Sequence, residues 1–179
     1  MPDLEGPPRV TLIAALVLAV AAVGVVLAIA ATRRPPRQPV ALPAVPAPQA
    51  DDKSCRALLA ALPRRLGDYE RVPAAPPVPP GAAAWRNGGD LVVLRCGLDR
   101  PADFVVGSPI QVVDRVQWFS VAAPRSGGDG GRSTWYTVDR PVYVALTLPP
   151  GSGPTPIQQL SELIDTTIPA VPIRPGPPG

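Results

Sequence analysis

No histidine occurs anywhere in the 179 residues, and cysteine is limited to Cys55 and Cys96. The missing imidazole removes the commonest general base near neutral pH and the commonest zinc ligand. Serine or cysteine nucleophiles activated by histidine are excluded with it. Two thiols alone do not complete a zinc site of four Cys or His ligands, so no metal and no cofactor is expected. Lysine is nearly absent too: of 17 basic residues all but Lys53 are arginine. Aromatics are few, at three Trp, three Tyr and two Phe. A nucleic-acid binder gathers basic residues on one element with aromatics between them. Here the arginines are scattered and the net charge is only +3, so no nucleic-acid partner is expected.

What is abundant is proline, 28 residues, with 16 glycines. The prolines are clustered, which reads as linkers and loops around a modest core. Before them, Val10 to Ala31 is an apolar run interrupted only by Thr11 and Gly24. As a helix it spans roughly 33 Å, enough for a hydrocarbon core of about 30 Å. The run is longer than a signal-peptide core, and its flank sets Asp3 and Glu5 against Arg9. The expectation is a retained transmembrane helix over 10–31 that contacts the lipid bilayer. Ala28-Ile29-Ala30 offers a cleavage site for the alternative, a cleaved signal.

The rest divides by composition. Residues 1–9 are a short flank, 32–50 a proline-rich spacer near polyproline II, and 169–179 a proline-rich tail expected to be disordered. Between them, 51–168 is expected to be one soluble α+β domain. Asp52 is placed to cap a helix whose Cys55, Leu58, Leu59 and Leu62 form one apolar stripe. Strands are expected at 82–86, 91–98, 116–121, 133–138 and 142–148. Asn87-Gly88-Gly89-Asp90 marks a hairpin between the first two. A closing helix is expected with Thr155 as cap, Pro156 first and Gln158 third, burying Ile157, Leu160, Ile164 and Ile168. The fold class is then an antiparallel sheet of about five strands covered by an N-terminal and a C-terminal helix.

Candidate chemistry is sparse. Gly127 to Ser133 has the glycines of a phosphate-binding loop but not its lysine, and it joins two strands; Asp129 there lacks neighbouring acids. Ser152 follows Pro149-Pro150 and has no base to activate it. Asp99, Asp103, Asp114 and Asp139 are the acids from which a hydrolytic carboxylate pair would be drawn. Trp85, Trp118 and Trp135 lie on or beside strands. They are expected to be core or sheet-covering residues, with a binding-surface, sugar-stacking role as the alternative.

The cysteines are the more informative pair. Cys55 lies on the helical stripe, and Val92, Leu94, Cys96 and Leu98 alternate on one strand face. Both periodicities aim at one core, where the thiols are expected to form a Cys55–Cys96 disulfide, with two buried reduced cysteines as the alternative. A bridge implies an oxidising compartment. Against it, Arg33, Arg34 and Arg37 follow the apolar run while only Arg9 and the amino terminus precede it, which favours a cytoplasmic domain.

Val93 to Pro101 (V-L-R-C-G-L-D-R-P), Val116 to Phe119 (V-Q-W-F) and Trp135 to Val144 (W-Y-T-V-D-R-P-V-Y-V) resemble the actinobacterial domain-of-unknown-function family numbered 3515. The combination of Cys55 with Arg95-Cys96-Gly97 is the most specific element. Trp85 is followed by Arg86-Asn87-Gly88-Gly89, where that family tends to have glycine. The resemblance implies an envelope-associated membrane protein and supplies no activity. The functional expectation is a non-catalytic binding or scaffolding module outside the cytoplasmic membrane, partnered by other envelope proteins or cell-wall polymer. The alternatives are an envelope hydrolase with paired carboxylates and a cytoplasm-facing regulatory domain.

Overall fold

The structure is a computed structural model that describes residues 9–32, 38–122 and 131–178. Arg33, Arg34, Arg37, Asp129 and most of the glycine-rich loop lie outside the described residues. Two units are present, Met1–Arg37 and Gln38–Gly179.

In the first unit, α1 (Arg9–Thr32) is apolar all round, without a polar face to turn toward water. Val10–Ala28 is long and apolar enough to cross a membrane, as a span or as a signal sequence, and none of it is buried within the chain.

The second unit opens with α2 (Lys53–Ala61). Its first turn is fixed by Asp52, whose carboxylate accepts the Ser54 N–H at 2.7 Å. That hydrogen bond holds the Asp52 carboxyl below the usual carboxylate range. A lowered folded-state value means that the cap stabilises above the ordinary carboxylate pKa. Its contribution is lost as pH falls through the lowered value. Asp52→Ala is therefore expected to destabilise the domain at neutral pH. In denaturant titrations across pH its deficit should vanish in acid, whereas a deficit constant with pH would contradict the cap.

Eight strands follow: β1 (Arg65–Leu66), β2 (Tyr69–Val72), β3 (Ala82–Asn87), β4 (Asp90–Leu98), β5 (Gln111–Val113), β6 (Val116–Ala122), β7 (Ser133–Thr137) and β8 (Tyr143–Leu148). The closing helix is α3 (Thr155–Thr167). The spatial order is β1-β2-β3-β4-β8-β7-β6-β5, antiparallel throughout. Two four-stranded meanders thus join where β4 meets β8. All five expected strands are present. The added ones, β1, β2 and β5, are two to four residues long and lie at or next to the sheet's edges. Pairing with a neighbour, not alternation of their own, makes them strands. Gly88 and Gly89 form the two-residue turn between Asn87 and Asp90, with Gly88 at φ 55°.

The expected capping box is not formed. Pro154 is helical in conformation and its carbonyl accepts the Gln158 N–H, so the helix begins at Thr155 and no side chain caps it.

One sheet face carries the main core. Trp85, Val92, Leu94, Val116, Trp118, Val144 and Leu146 meet Leu58 of α2 with Leu62 at its C-cap, and the expected stripe of Ile157, Leu160 and Ile164 of α3 with Ile168 at its C-cap. At Gly97 the register with β8 shifts, and Leu98, though buried, leaves this core.

The other face is covered by segments expected to be spacer and tail. Val40 and Leu42 bury against Val72, Ala84 and Val93. Val40 N–H donates to Pro73 O (2.9 Å) and its carbonyl accepts from Ala75 N–H (2.8 Å). Gln49 N–H donates to Gly97 O (3.0 Å). At the far end Val171 N–H donates to Asp139 O (2.9 Å), and Gly176 bonds both ways with the segment of Phe104 and Val106. Residues 38–50 and 169–178 are thus extended straps on the domain. The reason is physical: proline keeps them extended without a ladder of their own, and backbone groups of Val40, Gln49, Val171 and Gly176 pair with the domain.

Candidate functional site

The cysteines are joined. Cys55 and Cys96 are both fully buried, with Cα atoms 5.6 Å apart and a sequence separation of 41. The helix α2 and the central strand β4 present them to the same core, as their two periodicities require.

The three tryptophans separate. Trp85 is fully buried; its indole N–H donates to Pro63 O (3.0 Å) and the Arg71 guanidinium lies 5.7 Å from its ring centre. Trp118 is fully buried and donates to Ser161 Oγ (3.0 Å). Neither is a surface aromatic. Both are core residues, and the surface alternative fails for them for one reason: both sit on the inward phase of strands covered by helices, and each N–H finds an internal partner. Trp135 alone is half-buried and borders a pocket of about 590 Å³ with Gln111, Ser133 and Gln158. Its indole N–H donates to Ser133 Oγ (3.0 Å).

The candidate carboxylates do not gather in a cleft. Asp99, Asp103 and Asp114 are exposed. Asp139 is buried in a clip between the sheet and α3. Its Oδ2 accepts the Gln117 N–H (3.1 Å) and meets Arg140 Nη1 at 2.9 Å. Arg140 Nη2 reaches Asp165 Oδ1 (3.4 Å), and Arg115 contacts the other oxygen of Asp165 (3.5 Å). Burial pushes the Asp139 carboxyl up, with Arg140 opposing. This clip pins α3 to the β5–β6 and β7–β8 connections. Sequence reading missed Asp165 and Arg140, because nothing in their spacing announces the contact.

A polar groove of about 250 Å³ crosses the sheet face opposite the two helices. Register sets its floor. One row runs Ala82, Arg95, Ala145, Tyr136, Phe119, and the next runs Ala84, Val93, Thr147, Thr134, Val121. The strap cluster of Val40 and Leu42 covers one end of these rows, and the cluster of Phe104 and Phe119 covers the other. The middle stays open, lined by Pro43, Arg95, Arg132, Thr134 and Thr147. Arg95 donates from Nη2 to Pro43 O (3.1 Å), and its buried Nε has no acceptor. Burial holds its guanidinium below the ordinary value, with the Tyr136 hydroxyl opposing. A signal was available, since Arg95 is the only charge between Leu91 and Leu98. Among the described residues no three Cys, Asp or Glu side chains cluster as metal ligands would.

No match is found among curated proteins or among solved structures. A family model does match, over residues 16–173, which takes in most of α1 and nearly all of the stapled domain. The chain belongs to the family of proteins of unknown function DUF3515.

Proposed function

We propose that the chain displays its stapled domain outside the cytoplasmic membrane, as a non-catalytic binding or scaffolding module of the cell envelope. The observation that carries this reading is the Cys55–Cys96 bridge, sealed in the main core of a domain that follows a membrane-length helix. A dithiol keeps its bridge in an oxidising compartment and loses it to cytoplasmic reductants. Two observations support binding over hydrolysis. Each of the four described pockets is lined by at most one carboxylate. The most buried of the candidate acids, Asp139, is held by Arg140. The partner is another envelope protein or a cell-wall polymer, and Trp135 is the one candidate aromatic with a pocket beside it.

Reporter fusions at Gly179 test the orientation. An alkaline-phosphatase reporter, which folds only where disulfides form, should be active, and a β-galactosidase reporter inactive. The reverse pattern would overturn the reading in favour of a cytoplasm-facing regulatory domain, the orientation that Arg33, Arg34 and Arg37 favour.

A further inference from the structure

Arg95 is an arginine planted in the middle of a sheet face without a counter-ion. It sits on β4, the strand that pairs with β8 at the centre of the sheet, half-buried at the floor of the open groove. A guanidinium carries five N–H donors. One of them reaches Pro43 O, and the buried Nε–H has no acceptor. Among the described residues Arg95 makes no ion pair. Partly desolvating a cation with no anion beside it is costly, and an anion entering the groove would offset that cost. Arg132 brings a second positive charge to the same groove, and it too lacks an ion pair among the described residues. Among the described residues no carboxylate lines the groove, so those walls carry two positive charges and no negative one. The floor supplies a further donor. Thr134 and Thr147 share one hydrogen bond (Oγ1···Oγ1 3.0 Å), which leaves one hydroxyl hydrogen over. Leu42, Leu91 and Val93 form an apolar side that lowers the local dielectric and strengthens the attraction.

We propose that this groove binds a phosphate group, held by Arg95 and Arg132 with a hydroxyl of the Thr134–Thr147 pair. Two cations without an acid suit the near-dianion of a phosphate ester at pH 7 better than a carboxylate. The inference rests on the reading of the domain as a binding module, and it names the class of ligand. The phosphate is that of a free monoester or that of a monoester lipid headgroup, as in phosphatidic acid.

The test uses the full chain in phosphatidylcholine nanodiscs, with NMR of the Arg95 Nε–Hε resonance. Inorganic phosphate should shift that signal saturably, and sodium chloride of equal ionic strength should not. Arg132→Gln, a change at the groove's rim, should weaken phosphate binding about tenfold, the order of one charge-assisted hydrogen bond. Arg95→Lys keeps the charge but not the planar fork and should weaken it as much, read from the change in thermal midpoint with phosphate. Glycerol 3-phosphate and phosphatidic acid vesicles then compete against inorganic phosphate. Displacement by the first alone assigns a free ester, and displacement by vesicles assigns a headgroup. Absence of a saturable shift, or affinities unchanged in both variants, would overturn the site. Because the titration runs on purified protein, its failure is distinguishable from a failure of the reporter fusions.

Discussion

Replacing both Cys55 and Cys96 by alanine is expected to cost about 4 kcal/mol of folding stability. The bridge closes a loop across a separation of 41 residues, and in the chain-entropy description that constraint is worth about this much. A domain of this size has about 5–15 kcal/mol in total, so the loss takes roughly a quarter to four fifths of its margin. The loss corresponds to a fall of about 8–16 °C in Tm for a chain of this length. Guanidinium unfolding of the full chain, with and without prior reduction under denaturant, measures it. Reduction without denaturant should be slow, because both sulfurs are fully buried. A double variant within about 1 kcal/mol of the parent would contradict the staple.

Gly97→Ala is expected to release the strap that precedes α2. Gly97 sits at φ 87°, and a Cβ there would lie 2.3 Å from the Ala50 nitrogen and 2.3 Å from the Gln49 carbonyl carbon. Backbone cannot yield as a side-chain tip does. The left-handed conformation alone costs about 1–2 kcal/mol for a non-glycine residue. Loss of the Gln49–Gly97 hydrogen bond adds about 1 kcal/mol more. Gly88→Ala is the matched control: its φ is also positive, at 55°, but nothing lies within 4 Å of the added methyl. Limited proteolysis should cut within residues 38–50 in Gly97→Ala and not in Gly88→Ala, with the larger fall in denaturant midpoint for the former. Equal behaviour of the two would contradict the docking of the strap.

The contrast between these two glycines also explains what was legible in the sequence. Local periodicity placed Cys55 with Leu58 and Leu62, and Cys96 with Val92 and Leu94, because strand and helix periods bear directly on which side is buried. The Gly88-Gly89 turn was legible for the same local reason. What escaped was decided by partners distant in sequence. Val40 and Leu42 look like spacer until Val93 and Ala84 supply a surface for them. Arg65, Leu66 and the Gln111–Val113 segment become strand only by pairing with a neighbour. Trp85 and Trp118 read as core or sheet-covering residues, but that the helices are what cover them was set by the fold. The phosphate groove was visible only as one arginine in an apolar strand. Its meaning needed the register that sets Arg95 in a row with Tyr136, one row from Thr134 and Thr147.

The account depends on the domain reaching its fold where thiols oxidise. The direct measurement is mass spectrometry of the full chain from native membranes, trapped with an alkylating reagent in denaturant before any reduction. Cys55 and Cys96 should be recovered as one cross-linked peptide pair without alkylation. Recovery of both as alkylated thiols would contradict the export of the domain.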